Sequence, residues 1–427
     1  MSTEETDFRP FKSWRYDSKQ VSLEQVIAPP YDVISPREQE ALYGKSPSNV
    51  VHLILGKEPD FYERARERWQ EWSKRGILVQ DKQSAFYLYE QTFRHPLDSR
   101  LLKRLAVVGI LKLEESGVVF RHESTFEGPK RDRLSLLEKV KTNLSPVFGL
   151  YHDSKKAVSQ IAARFQKKPP LFEARDDQEV LHRGWAIEDE KEQAAIQEAL
   201  RHEKILIADG HHRYETALEY RRRMRETASE TPSEAPYDFV MMALVESGDA
   251  GLLVLPTHRI LRSLRPISKT VFTEQLKKYF DFSPFAFEKL FESLAARPPQ
   301  EKSLGLFLGD AASFVIRLKD LPSVRSFLPP NKPLIWYEME VNLLSHFILD
   351  VVWGVPEEKR RDSIQYTHFA DEAMDAVRSG KAEAAFLLRA PTVDTVRELA
   401  YAGERLPQKT TYFYPKLASG FFFYHHD

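Results

Sequence analysis

The sequence contains no cysteine. That absence excludes disulfides, thiolate nucleophiles, iron–sulfur clusters and cysteine-ligated zinc. Neither sign of charge is in excess, because 62 Lys and Arg stand against 63 Asp and Glu, a net of -1. A chain that lives on nucleic acid usually carries a basic surplus, so no nucleic-acid partner is expected. No apolar run approaches the roughly 18 residues that a transmembrane helix needs, so no membrane partner is expected either. Met1 to Asp7 is acidic and polar, opposite in character to a secretory signal, and a soluble cytoplasmic protein is the expectation. Spacing suited to metal ligands is also missing: no His-x-x-x-His occurs, and the adjacent His211 and His212 cannot easily turn both rings on one ion.

What is present is ordinary globular composition, 42% hydrophobic and 29% charged. At 427 residues the chain is long enough for two or three domains and a sizeable core. Ser35-Pro36 predicts a helix start, with Ser35 as N-cap and Pro36 at the first helical position. Asn49 to Leu55, rich in Val, Leu and Ile, predicts a strand. Phe61, Ala65, Trp69 and Trp72 recur at helical spacing up to a stop at Gly76. Ala85–Phe93 and Leu105–Glu114 predict an antiparallel pair. A helix is expected from about Lys130 to Lys141, followed by a strand at Val147–Tyr151. Later come helices near Val158–Lys167 and Glu190–His202, strands at Val180–Ile187 and Lys204–Ala208, and a long helix through Arg225. Tyr237–Glu246 and Leu252–Leu255 read as a strand pair turning at Gly248 and Gly251. Ser303–Leu308 and Ala312–Leu318 are further strands. This mixture of hairpins and isolated helices argues α+β. The basic, Pro-containing stretch Arg262–Lys269 sets the expected domains at 1–262 and 263–427.

The sharpest local signal is Ile205-Leu206-Ile207-Ala208-Asp209-Gly210-His211-His212-Arg213-Tyr214, an apolar strand running through Asp-Gly into a helix. Gly210 lets a ligand approach the backbone, and the helix N-terminus offers N–H groups and a positive dipole end to phosphate. His211, His212 and Arg213 add donors, and Arg213 can grip phosphate with both prongs of its guanidinium. Asp209 can hold Mg²⁺ or accept a proton. The plainer alternative is a capped helix with Arg213 in a salt bridge, although consecutive cations at a helix start oppose its dipole.

Four other segments carry possible chemistry. Ala28-Pro29-Pro30-Tyr31-Asp32 is stiffened by its prolines and could present Tyr31 and Asp32 to a ligand. His122-Glu123-Ser124-Thr125, ahead of Lys130, Arg131 and Arg133, sets a carboxylate near several cations, as phosphoryl transfer requires. Thr257-His258-Arg259 follows an apolar strand and offers substrate contacts. Pro407-Gln408-Lys409-Thr410-Thr411 resembles an anion-binding loop without Walker glycines. The aromatic run Tyr412–Lys416 reads as core, and Arg221, Arg222, Arg223 and Arg225 as a solvated face paired with glutamates.

The Asp209–Arg213 turn resembles the strand–turn–helix phosphate motif of the ParB/sulfiredoxin-like superfamily, which includes free serine kinases. The whole chain is identified as a member of the family catalogued as domain of unknown function 1015. The matching pieces are Arg9-Pro10-Phe11, Ala28–Ile34, Ser48–Val51, Gly128–Leu134, Asp209–Arg213, Leu255–Arg259 and Pro407–Lys416. The resemblance implies a ParB/sulfiredoxin-like mixed-sheet core with an additional C-terminal α/β region. It does not carry over whole: the sulfiredoxin cysteine is a histidine here, and the helix-turn-helix of ParB partition proteins is missing.

The implied activity is a phosphotransferase, a kinase moving phosphoryl between Mg²⁺-bound ADP or ATP and the hydroxyl of free serine or a similar metabolite. A phosphatase for phosphoserine or a related ester, and a nucleotide-binding switch without turnover, are the alternatives. In this reading Asp209, His211, His212, Glu123 and Asp32 are catalytic, with Asp209 also the metal ligand. Gly210, Arg213, Lys130 and Lys409 bind phosphate; Tyr31, His258 and Arg259 bind substrate. Asp32, Glu123, Asp209 and Lys409 are expected to converge on one cleft near Gly210.

Overall fold

The structure, a computed structural model, describes residues 5–114, 117–123, 127–227, 232–262, 268–355, 360, 363–407 and 409–426. Ser124, Thr125 and Gln408 of the candidate motifs lie outside the described residues, as does the segment 263–267 in which the expected domain boundary falls. The chain is α+β and divides into two compact units. The first contains Met1–Arg121, Thr125–Leu253 and Phe413–Asp427; the second contains His122–Ser124 and Val254–Tyr412.

The first unit is built on a nine-stranded mixed sheet. Its strands are β1 (Phe8–Arg9), β2 (Phe86–Arg94), β3 (Leu101–Lys112), β4 (Val119–Phe120), β5 (Val147–Tyr151), β6 (Phe172–Arg175), β7 (Leu181–Ile187), β8 (Ile205–Asp209) and β9 (Phe239–Glu246). The order is β4-β8-β5-β9-β3-β2-β7-β6, with β1 beside β3. The β4–β8 and β5–β9 pairs are parallel and the others antiparallel, including the expected β2–β3 hairpin. β5 is buried throughout and β9 nearly so, which explains their continuous apolar runs: both faces are covered.

Its helices include α1 (Pro36–Lys45), α2 (Val51–Ile54), α3 (Phe61–Lys74), α4 (Glu127–Val140), α5 (Ala157–Phe165), α6 (Glu190–Leu200) and α7 (His211–Thr227). Ser35 caps α1 in a full capping box, its hydroxyl accepting from the Glu38 N–H while the Glu38 carboxylate accepts from the Ser35 N–H. α3 ends at Gly76 with φ +72°, the left-handed stop its sequence predicts. Val158, Ile161, Ile196, Leu200, Tyr214 and Ala217 from α5–α7 pack against Val107, Ile205, Ile207, Val240 and Leu244 of the sheet. A second core joins Trp69 and Trp72 of α3 to Leu136 and Val140 of α4.

Two expectations are corrected. Asn49–Leu55 is not a strand: its centre is the helical turn α2, started by Asn49 Oδ1 accepting the Val51 N–H at 2.9 Å. All four residues of α2 are buried, and the Val, Leu and Ile content that suggests a strand reflects burial rather than extended backbone. Leu253–Leu255 does not pair with β9, whose two edges are already occupied by β5 and β3.

The second unit carries β10 (His258–Leu261), β11 (Phe280–Pro284), β12 (Ser303–Phe307), β13 (Ser313–Leu318), β14 (Ile364–Thr367) and β15 (Ala384–Leu387). They form an antiparallel sheet in the order β11-β13-β12-β15-β10-β14. α8 (Leu290–Ala295) and α9 (Ala370–Arg378) bring Leu290, Leu294, Ala373 and Met374 against Ile260, Phe307, Val315 and Leu387. Among the described residues no helix is long and apolar enough to cross a membrane.

Candidate active site

In the first unit the site begins where β8 leaves the sheet. Ile207 pairs with Gly149 and Asp209 with Phe148, so the register shifts by a bulge at the strand end. Such a bulge bends the strand and re-aims the next side chain, here Asp209. Gly210 follows at φ +88°, a left-handed conformation that favours glycine, and α7 starts at His211. A Cβ on Gly210 would lie 2.9 Å from Arg213 Nη2, because Arg213 folds back over the turn.

That fold brings two cations onto one carboxylate. Arg213 Nη2 donates to Asp209 Oδ2 at 2.7 Å, and Lys416 Nζ donates to Asp209 Oδ1. Arg213 Nη1 also donates to Ser145 Oγ at 3.3 Å and to the Pro146 carbonyl. The side chains of Asp209, Arg213 and Lys416 are only 13%, 14% and 11% exposed, so water screens these charges weakly. Burial alone would favour the neutral acid, but Lys416, Arg213 and His211 outweigh it and hold the Asp209 carboxyl well below the usual carboxylate range. Asp209 is thus a weak base and a firm anion.

Behind Arg213 lies a cavity of about 60 Å³ lined by Tyr31, Arg133, Ser145, Arg213, Thr216 and apolar groups including Leu136 and Val240. The Arg133 guanidinium sits 4.0 Å from the Tyr31 ring centroid and donates to Asp132 and to the Ile54 carbonyl. Burial, opposed by Arg133, pushes the Tyr31 phenol up to about 12. Thr216 Oγ1 is buried with no hydrogen-bond partner among the described residues. The structure therefore brings Tyr31 and Arg213, from distant parts of the sequence, to one cavity. Asp32 follows Tyr31 on the same turn and is exposed.

His211 is buried and His212 half-buried in the first turn of α7. Lys130 points to Glu215, with Nζ 3.5 Å from Oε2, and Arg121 meets the other oxygen of Glu215 at 3.1 Å. Further along α7, Arg222 pairs with Glu219 and Glu226, and Arg223 with Glu219 and Glu138, the charged face expected there, whereas Arg221 donates to the Leu113 carbonyl and Arg225 to buried Asp238.

The remaining candidates gather in the second unit. Glu123 Oε1 accepts the Lys409 N–H at 3.0 Å, and Lys409 is exposed with φ +57°. Arg259 is buried on β10 and donates to the carbonyls of Thr257 and Lys409. Burial lowers its guanidinium to about 10, against the pull of Tyr366 and Glu123. His258 Nδ1 accepts the Leu388 N–H at 3.2 Å, and burial, then Arg259 and His368, push that imidazole down to about 3. Asp32, Asp209, Glu123 and Lys409 thus divide two and two between the units.

The sequence alone points to no role for Lys416 or Ser145, and sets Arg133 among the cations after Glu123 rather than beside Tyr31. Lys416 carries a usable signal: it is the single cation of the run Tyr412–Lys416, which reads as core. Among the described residues no group of three or more His, Asp or Glu is placed to hold a metal ion.

Fold and site together define an α+β protein with a cation-rich strand–turn–helix junction on a mixed sheet. The chain belongs to the family described as "Protein of unknown function (DUF1015)", which matches residues 8–342. No curated protein matches the sequence. Among solved structures, a free serine kinase in complex with AMP is 15% identical, with 69% of this chain and 83% of that chain covered and a TM-score of 0.34. A conserved hypothetical protein from Pyrococcus furiosus is 14% identical, covering 73% and 97%, with a TM-score of 0.36. SbnI with a C-terminal truncation, from Staphylococcus aureus, is 7% identical, covering 73% and 85%, with a TM-score of 0.35. Overlap this partial carries nothing about ligand or activity.

Proposed function

We propose that this protein is a small-molecule phosphotransferase, a kinase acting on the hydroxyl of free serine or a similar metabolite with a Mg²⁺-nucleotide, ADP or ATP. The observation that carries the reading is the junction at Asp209: one carboxylate clasped by two weakly exposed cations at the N-terminus of a long helix. Two cations against one carboxylate leave a positive charge at a turn whose helix N–H groups also favour anions. An arriving phosphate shares Lys416 and Arg213 with Asp209, and the same cations offset the negative charge that develops in transfer. The Asp-Gly-His-His-Arg resemblance to free serine kinases supports the same assignment.

Asp209 is too weak a base to take a hydroxyl proton, given how its neighbours hold it ionised. Its suited role is to orient the two cations, and it is the residue that would hold a nucleotide-borne Mg²⁺. Bound there, Mg²⁺ would neutralise phosphate charge. The hydroxyl oxygen of the acceptor attacks the terminal phosphorus, the bond to the nucleotide's bridging oxygen breaks, and the hydroxyl proton passes to a carboxylate. Asp32 takes that part, since it is exposed on the proline-fixed turn whose Tyr31 lines the cavity beside Arg213.

A ³¹P NMR time course with phosphoserine and Mg²⁺, without nucleotide, with ADP or with AMP, tests the reading, with Asp209→Ala as control. ATP formed from ADP, or ADP formed from AMP, supports a kinase and tells which nucleotide is the donor. Inorganic phosphate released without nucleotide makes the protein a phosphatase instead. Silence in all three, with nucleotide still bound, replaces phosphotransfer with a nucleotide switch.

A further inference from the structure

Lys416 reaches Asp209 from a segment far along the chain, and its backbone is held by an unusual pair. Gln91 on β2 and Arg104 on β3 are direct cross-strand partners, each 1% exposed. Arg104 donates to Gln91 Oε1, to the Tyr414 carbonyl at 3.1 Å and to the Pro415 carbonyl. Gln91 Nε2 donates to the Lys416 carbonyl at 3.0 Å. Three successive carbonyls are therefore gripped by two side chains that also bond to each other. The Arg104 guanidinium lies 4.8 Å from the ring centroid of Phe148, the residue paired with Asp209 across the sheet. Phe413, just before the gripped carbonyls, packs edge-on against the same ring at 5.7 Å.

This arrangement is costly for a purely structural purpose. A buried guanidinium with no carboxylate in contact among the described residues keeps its charge against desolvation, which already pulls Arg104 down to about 10. An apolar cross-strand pair would fill β2 and β3 without that cost. What the polar pair adds is a fixed path for the chain at 414–416, and hence a fixed origin for the Lys416 side chain.

We propose that Gln91 and Arg104 are positioning residues that hold the backbone of 414–416 so that Lys416 Nζ meets Asp209. The catalytic use of Lys416 rests on the phosphotransfer reading; the grip itself does not. The fork of Arg104 is essential to it, because a lysine ammonium cannot span two carbonyls and an amide in one plane.

The test uses the full-length protein with Arg104→Lys and Gln91→Met, and reads two things. The first is acetylation of Lys416 by acetic anhydride, followed by peptide mass spectrometry, with exposed Lys409 as internal reference. In the wild type, ion pairing and burial make Lys416 about tenfold slower than Lys409, and each variant brings the two rates together. The second is steady-state kinetics: kcat falls about 10²-fold, as for a group displaced by about an ångström, while the nucleotide KM stays within about threefold. Unchanged protection of Lys416 in the variants overturns the grip. Released Lys416 with unchanged kcat overturns its positioning role. A wild type with no phosphotransfer removes the functional reading, and the acetylation rates then decide the grip alone. If Arg104→Lys does not fold, Gln91→Met, close in shape, carries both measurements.

Discussion

Asp209→Asn separates an anion site from a structural ion-pair cluster. The substitution keeps the side chain's shape and one acceptor oxygen but removes the negative charge that Arg213 and Lys416 share in direct contact. Stripping a buried charge pair of one partner costs about 3–5 kcal/mol. Because asparagine still accepts one hydrogen bond and the side chains keep 11–14% exposure, the lower end, about 3 kcal/mol, applies. At roughly 2–4 °C per kcal/mol for a unit of this size, Tm falls by about 6–12 °C. With the Asp209 charge gone, the same two cations bind phosphate more tightly than in the wild type. At a phosphate concentration about 100 times the variant's Kd and still below that of the wild type, binding returns about 2.7 kcal/mol to the variant and little to the wild type, most of the loss. Thermal denaturation of both proteins across a phosphate titration measures this, with sulfate and chloride series at matched ionic strength. The gap between wild type and variant is expected to shrink from about 3 to below about 1 kcal/mol as phosphate saturates. Stability independent of phosphate in both proteins refutes the anion site, and a gap under about 1 kcal/mol in plain buffer refutes the buried-pair argument itself.

The same gap has a defined pH dependence. The folded carboxyl of Asp209 is depressed, so its contribution is fully present above the unfolded carboxylate value of about 3.9 and is lost as pH falls below it. Urea denaturation is therefore expected to give a constant difference between wild type and Asp209→Asn above about pH 5, narrowing below about pH 4. Gly210→Ala places a methyl group 2.9 Å from Arg213 Nη2 at a left-handed φ, so a loss of about 1–2 kcal/mol and weaker phosphate binding are expected from calorimetry. Asp32→Asn, at an exposed site, is expected to leave Tm unchanged while lowering kcat about 10²–10⁴-fold. Glu123→Gln keeps the oxygen that accepts the Lys409 N–H and is expected to cost less than about tenfold; the reverse pattern would move the base to Glu123.

How much of this was legible beforehand depended on how local the cause was. The capping of α1 by Ser35, the apolar spacing of Phe61, Ala65, Trp69 and Trp72, and the passage from β8 through Gly210 into α7 are each decided within a few residues. Asn49–Leu55 misled because β-branched content reports burial, whereas the backbone there was set by one asparagine side chain bonding two residues ahead. The site itself was half legible for the same reason. Asp209, Gly210 and Arg213 announce themselves in one turn, and Tyr31 stood out on its stiff loop, but nothing local joined the two.

Lys416 shows why the rest was hidden. Within its own segment it follows three aromatic residues, of which Phe413 is fully buried while Tyr412 and Tyr414 are half-buried, Tyr414 meeting Phe93 edge-on. The core reading holds for Phe413, and it conceals the cation the run carries. The lysine reaches Asp209 because Gln91 and Arg104, on adjacent strands of another part of the chain, take hold of its backbone. No periodicity in 407–416 encodes that grip, and neither Gln91 nor Arg104 stands out in sequence, because Glu90 and Thr92 flank the one and Lys103 precedes the other. A buried arginine facing a buried glutamine across a hairpin is nevertheless a visible conflict with the pattern of β2 and β3. Such a conflict between local pattern and polarity marks where a sheet core has been given a second task, and here the task lies at the next strand end.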